Sequence, residues 1–274
     1  MADKSIKHFI FMRFFNEQSP QYPYNVLDVD FLSNQLVLAK NNSLRSLENQ
    51  TNKNFEIVFI LHEQAFLDKK YEFIFSELKN ATTLSLKFIK WNEQALLVKD
   101  ALNKYDFVIQ SRMDFDDFIY RYAVSDVQSK INECDSILSY GYCKGYTYTC
   151  GEICSYYHPF NNEGWLGILG SLILKSSFAK ELPFISVHFN HTKVKPAIKN
   201  FLEKNHMPFE ENMFQQNTTT DAFIYFRHEF SRWIYEFGSG KVYVLRDRRV
   251  TEGITKKQLE DDFGFIGYEL KSIK

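Results

Sequence analysis

Apolar residues in this chain gather in short runs set apart by segments of mixed polarity. Residues 8–15 (HFIFMRFF), 55–61 (FEIVFIL) and 105–110 (YDFVIQ) are of strand length and nearly without alternation. That is how strands covered on both faces read. Between them, Phe31 to Lys40, Ser43 to Asn49, Tyr71 to Lys79 and Glu93 to Asn103 carry helical spacing, with Asp28 or Asp30 available as the first N-cap. A short strand is expected over 84–89. Strands alternating with helices at this spacing predict βαβ units and a mostly parallel sheet. Beyond Tyr120 the pattern changes. It predicts a helix over 121–131, a glycine-punctuated hairpin over 136–148, and a strand over 170–175. A helix follows over 194–205, with Pro196 in its tolerant first turn, then strands over 222–227 and 241–245 and a short helix from Thr255. No repeat or linker interrupts the chain. It reads as a single α/β domain, with a nucleotide-binding-type half over about 1–125 and a mixed half over about 126–274.

Composition changes that picture little. The 274 residues are 45% hydrophobic with a formal net charge of −1, and both signs are interspersed. No basic patch marks a nucleic-acid partner. The 27 Phe and 16 Tyr, with frequent Asn and Lys, fit AT-rich codons, although aromatic planes also stack on sugar rings. Cys143, Cys150, Cys154 and His158 lack the tight Cys-x2-Cys knuckle of structural zinc sites and read as reduced thiols and an ordinary histidine. The polar start has no charged-then-apolar signal pattern. The longest largely apolar stretch, Trp165 to Leu174, falls short of the about 20 residues that span a bilayer. A cytoplasmic chain is expected, with peripheral contact at the inner face of the cell membrane left open.

The strongest chemical signal is YDFVIQSRMDFDDFIY, residues 105–120. It places Asp114, Asp116 and Asp117 just after a buried strand, and in parallel sheets ligands bind beyond the carboxyl ends of the strands. Three carboxylates so close repel one another. A divalent cation, Mn²⁺ or Mg²⁺, would relieve that repulsion and neutralise charge on a leaving diphosphate. The competing reading is a helix N-terminus starting near Phe118, where aspartates favour the dipole. Arg13 and Arg112 lie near strand ends, where either could support donor phosphates or the acidic turn.

Residues 43–60 (SLRSLENQTNKNFEIVFI), followed by helix, strand, helix and a strand ending in Asp-x-Asp-Asp, resemble the opening of GT-A-fold glycosyltransferases. HFIFMRFF and Ser-Arg-Met-Asp-Phe-Asp-Asp are similar to a bacterial family described as rhamnosyltransferases. The resemblance covers about residues 6–125. It implies a GT-A-like fold and transfer of a hexose or deoxyhexose from a nucleotide-diphosphate sugar to a glycan or lipid-linked glycan acceptor. It also implies a metal ligated by Asp116, with Asp114 contacting the donor or the metal, and Asp117 completing the turn or orienting a ligand. The late phrase FIYFRHEFSRW is similar to the segment that returns a histidine to the metal in such enzymes. On that basis His228 would ligate the metal and Arg227 or Arg232 would bind diphosphate.

Some features depart from the family pattern. Leu-His-Glu-Gln at 61–64 stands where an aspartate usually contacts the nucleoside, leaving Glu63 as a substitute. The usual Glu-Asp base pair is absent, so His191 or Glu163 is the expected base. Trp165, in NNEGWLGIL, is the expected acceptor-stacking residue. Two other readings stay open: a nucleotidyl or phosphoryl transferase using the same acidic turn, and a non-catalytic glycan- or nucleotide-binding relative.

Overall fold

In the computed structural model, residues 4–14, 25, 27–149, 151–157, 167–188, 194–227, 254–268 and 272–273 are described. Strand β1 (Ile6–Arg13) is followed by helix α1 (Val29–Ala39), a π turn (Lys40–Leu44) and helix α2 (Arg45–Glu48). Asp28 caps α1 by accepting the amide of Phe31 at 2.9 Å. Then come β2 (Glu56–Leu61), α3 (Gln64–Leu67), α4 (Glu72–Asn80), β3 (Leu86–Lys90), α5 (Gln94–Leu102) and β4 (Phe107–Asp114). Strands β3, β2, β1 and β4 lie side by side and all parallel. The α/β class and the helix-flanked sheet expected from the pattern are present.

Although these strands read as continuous apolar runs, their side chains divide cleanly between two faces, as the period of two requires. Ile10, Met12 and Phe14 pack with Ile57, Phe59, Ile109 and Met113 against Leu36, Leu47, Ile74 and Leu78. Phe9 and Phe11 pack with Val58, Ile60 and Val108 on the other face, against Val98, Leu102, Ile198 and Leu202. The last two belong to the helix Val194–Lys204, close to the expected span.

Past β4 the outcome differs from the expectations in three places. The residues after the acidic turn do not start a helix. They form a two-residue strand, β5 (Phe118–Ile119), and the next helix, α6 (Ala123–Ser129), begins later. Phe118 and Ile119 are fully buried and pair antiparallel with Ile224 and Phe223. The pull of that buried pairing outweighs the helix-start signal of the aspartates. Residues 136–148 are not a hairpin. All but Ser136 lie in one strand, β6 (Ile137–Thr149), and the hairpin closes later, onto β7 (Glu152–Tyr157), around Gly151 at φ 89°. Glycine sits mid-strand at 145 because a neighbouring strand comes very close there, where the pairing slips register. A Cβ on Gly145 would lie 2.4 Å from the Phe223 carbonyl oxygen. Finally, the strand expected over 222–227 starts earlier. Its full extent is Phe214–Arg227, and it runs parallel to β6. The strand expected over 241–245 lies outside the described residues.

Strand β8 (Ser171–Lys175) and helix α7 (Ser176–Ala179) precede helix α8 (Val194–Lys204), and β9 is Phe214–Arg227. The helix expected from Thr255 is α9 (Lys256–Phe263), which ends on Gly264 in the left-handed region at φ 70°. Strand β10 (Ser272–Ile273) completes the order β10-β7-β6-β8-β4-β1-β2-β3. Strand β8 pairs antiparallel with both β4 and β6. Among the described residues no helix is long and apolar enough to cross a membrane.

One buried polar group inside this sheet gives a test of the fold. His8 is 1% exposed. Its Nε2 lies 2.8 Å from the Ser111 hydroxyl, and its Nδ1 lies 3.2 Å from Gln128 Nε2. Burial lowers its pKa from 6.5 to about 3. From pH 6.5 downward the unfolded chain binds a proton that the folded chain refuses. The stabilisation is therefore complete above the unfolded value and lost as pH falls toward the folded one. Its slope is about 1.4 kcal/mol per pH unit. Urea unfolding from about pH 7 down to 5 should show that loss, and His8→Gln should remove that share of the slope. An unchanged slope in the variant would contradict the assignment.

Candidate active site

Adjacent parallel strands β1 and β4 end together, because Arg13 and Asp114 are register partners. By the alternation above, Arg13, Arg112 and Asp114 belong to the face that carries Phe9 and Phe11. Arg13 comes within 3.5 Å of one Asp114 carboxylate oxygen and Arg112 within 3.6 Å of the other. Burial pulls Arg112 below the usual guanidinium value and the Asp114 carboxylate pushes it back up. At that high reference value it stays charged. These contacts are long for ion pairs and partly solvated, so they hold Asp114 loosely. They also meet, from within the protein, part of the carboxylate repulsion.

The turn itself is fastened from beneath. Asn42, Ser46 and Gln50 follow one another at intervals of four along the first helical stretch and so share one of its faces. All three are almost completely buried. Asn42 donates to the Asp116 carbonyl at 2.7 Å. Ser46 accepts the Ile119 amide at 2.8 Å and donates to the Ile119 carbonyl at 2.9 Å. Gln50 donates to the Tyr120 carbonyl at 2.9 Å and accepts the Val124 amide at 3.2 Å. On its other side Asn42 accepts the hydroxyl of Tyr268. A short strand buried on both sides would otherwise leave several backbone groups unpaired.

Asp117 has a different place from its neighbours. It is 3% exposed and accepts the Phe226 amide at 3.0 Å, tying β9 to the turn. Burial, then the charges of Asp116 and Asp114, raise its pKa well above the ordinary carboxylate value, while Arg227 and the Phe226 N–H oppose that rise. The guanidinium of Arg227 lies 4.7 Å over the Tyr225 ring. Glu63 stands beyond the end of β2 with its side chain 65% exposed, 3.4 Å from Lys90 at the end of β3. Arg13, Arg112, Asp114, Asp116 and Asp117 are thus brought to one edge, and the end of β9 with Arg227 reaches it too. Glu63 lies on the same edge but is paired elsewhere. His191, Glu163, Trp165, His228 and Arg232 lie outside the described residues, as do Cys150 and His158.

Sequence reasoning missed two further residues at this edge. The His188 ring packs edge-on against Phe11, with centroids 6.0 Å apart, and tilted against Trp91, with centroids 5.3 Å apart. Both of its ring nitrogens are buried without a hydrogen-bond partner among the described residues. Burial, then Arg13 and Arg112, lower its pKa to about 3, so the ring is neutral. The segment carrying it is pinned, with Gln110 donating to the Ile185 carbonyl at 2.9 Å. Ser186 donates to Gln94 at 3.1 Å and accepts the His188 amide at 3.0 Å. Trp91, just after β3, is 48% exposed. The signal for His188 was present in the phrase VHFNHTKVK, but spacing alone does not say which histidine faces the strand ends.

No protein-family model matches the chain, and no curated protein matches it closely enough to count as a relative. Among solved structures, S. aureus TarS 1-349 in complex with UDP is 13% identical with a TM-score of 0.43, covering 81% of this chain and 60% of that one. A longer S. aureus TarS structure is 12% identical with a TM-score of 0.42, covering 81% of this chain and 37% of that one. A cytidylyltransferase from Leptospira borgpetersenii is 13% identical with a TM-score of 0.39, covering 79% and 77%. The chain therefore spans under two thirds of the length of the TarS structures.

The fastening of the turn has a measurable consequence. Ser46→Ala leaves the Ile119 amide and carbonyl unpaired in a dry position, at a cost of about 1–3 kcal/mol. Urea denaturation should report that loss. Hydrogen exchange should show the Ile119 amide opening faster while the β1 and β4 amides stay protected. Unchanged protection at Ile119 would mean that the hydroxyl does not hold the turn.

Proposed function

We propose that the chain is a metal-dependent glycosyltransferase with a GT-A-like fold. It would move a hexose or deoxyhexose from a nucleotide-diphosphate sugar to a hydroxyl of a bacterial surface glycan, on the cytoplasmic side. The observation that carries this reading is the pairing of two guanidiniums with an acidic turn at the adjoining ends of β1 and β4. Arg13 and Arg112 lie 3.5 and 3.6 Å from Asp114, beyond the carboxyl edge of a parallel sheet, where anionic ligands bind. The sequence resemblance over residues 6–125 supports the same conclusion.

Asp114 and Asp116 offer hard oxygen donors of the kind Mn²⁺ and Mg²⁺ prefer. Among the described residues no group of three or more ligating side chains could hold a metal ion. A cation on Asp114 and Asp116 would therefore need substrate phosphates, or residues outside the described ones, to complete its shell. Asp116 is the proposed principal ligand, with Asp114 beside it and His228 as the imidazole. Bound there, the cation would offset charge developing on the leaving diphosphate. Arg13 and Arg112 bind and orient that diphosphate, with Arg227 at the end of β9 as a third cation. Asp117, committed to the Phe226 amide, positions the turn. His191 and Glu163 remain the candidates for the base, Trp165 for acceptor stacking and Glu63 for the nucleoside.

One sequence feature favours sugar transfer over nucleotidyl transfer. The residues following β1, 14–28, contain no Gly, Lys or Arg, unlike the Gly-, Arg- and Lys-rich phosphate loop expected near the first strand of a nucleotidyltransferase. Incubation with a panel of nucleotide-diphosphate sugars and Mn²⁺ should release a nucleoside diphosphate. Asp116→Ala should lower that rate by about 100-fold. Release of pyrophosphate from a nucleoside triphosphate and a sugar phosphate would establish the nucleotidyltransferase reading instead. Donor binding without turnover, even with acceptors supplied, would establish the non-catalytic one.

A further inference from the structure

We infer that His188 is a ligand-binding residue of this site, its imidazole hydrogen-bonding a sugar hydroxyl of the nucleotide sugar. The inference rests on the transferase reading and extends it to a residue that no sequence motif assigned.

His188 is not anchored as the other buried histidine is. His8 has a partner within hydrogen-bond distance at each ring nitrogen, whereas neither nitrogen of His188 has one among the described residues. A ring in that state is expected where a ligand supplies the missing partners. Its surroundings say which kind. Arg13 and Arg112 are close enough to act on its charge, so whatever they bind comes to the same corner. Burial, with those two guanidiniums adding to it, leaves the ring neutral, with one N–H to donate and one lone pair to accept. A hydroxyl, which both donates and accepts, matches that pair. The half-exposed Trp91 alongside supplies aromatic surface of the kind that covers the apolar face of a sugar ring, while the fully buried Phe11 packs against the imidazole edge-on. The ring is also held in place, because Gln94, Ser186 and Gln110 fasten the 185–188 segment to α5 and β4.

The hydroxyl could belong to the ribose or to the transferred sugar, and the probes separate these sources. Calorimetric titration of the full chain with UDP, GDP and dTDP, and with UDP-glucose, GDP-mannose and dTDP-rhamnose, should be run on the wild type, His188→Phe and His188→Asn. Phe keeps the ring volume without hydrogen bonds, and Asn keeps a donor and an acceptor. His188→Phe should weaken binding about tenfold, with His188→Asn retaining most of the affinity. Weakening of UDP and GDP as well as their conjugates assigns the hydroxyl to the ribose, and weakening of the conjugates alone assigns it to the transferred sugar. Wild-type affinity in His188→Phe for every probe that binds would overturn the inference while leaving the transferase reading intact. So would equal losses in both variants accompanied by a lower Tm. Failure of the wild type to bind any nucleotide or nucleotide sugar would overturn the transferase reading and this inference together.

Discussion

The row of buried polar side chains Asn42, Ser46 and Gln50 is the constraint on which the site depends. Each reaches from one helical face to the backbone just past β4, and together they pair groups of Asp116, Ile119, Tyr120 and Val124. Without them the chain could not run as a two-residue strand through the dry region between that helix and β9. A carboxylate in the same place as Ser46 would bring an unpaired charge, and an apolar residue would abandon the backbone groups. The row therefore fixes where the acidic turn stands relative to the sheet. Asp117 fixes the far side of the turn by accepting the Phe226 amide, so the turn is clamped between the helix and β9 while Asp114 is left half-exposed.

Charge placement follows from this clamping. The two faces of β1 and β4 assign Phe9, Phe11 and Arg13, and Val108, Arg112 and Asp114, to one side. Two guanidiniums thus arrive beside one carboxylate where the strands end. These cations meet part of the carboxylate repulsion from within the protein and put positive charge in place for an anionic ligand. The neutral ring of His188 completes the corner, kept uncharged by the same burial and the same two arginines.

Much of the first half was legible in the sequence, because runs such as FEIVFIL and the helical spacing between them can satisfy their burial in few ways. The ends of elements and the second half were less so. Residues 136–148 carry glycines that suggest a turn, but Gly145 is needed for the close approach of β9, a long-range contact that no local pattern encodes. Phe118 looked like the start of a helix because its neighbours are aspartates, yet its pairing partner Ile224 lies far along the chain. The acidic turn and its arginines could be picked out as residue types near strand ends. Ser46 and Gln50 stood within the phrase that carries the family resemblance, but their hydrogen-bonding partners appear only once the turn is folded against them. His188 escaped for the opposite reason, since its unpaired state is visible only when its surroundings are known.

The central claim is that this clamped turn is where a donor diphosphate and its cation meet the chain. The most direct measurement is a crystal structure with Mn²⁺ and the nucleotide sugar that binds best, with the anomalous signal used to locate the ion. The account predicts a peak about 2.1 Å from an Asp116 carboxylate oxygen, with the diphosphate contacting Arg13 and Arg112. A nucleotide bound away from the ends of β1 and β4, or an ion held with no contribution from Asp116, would contradict it.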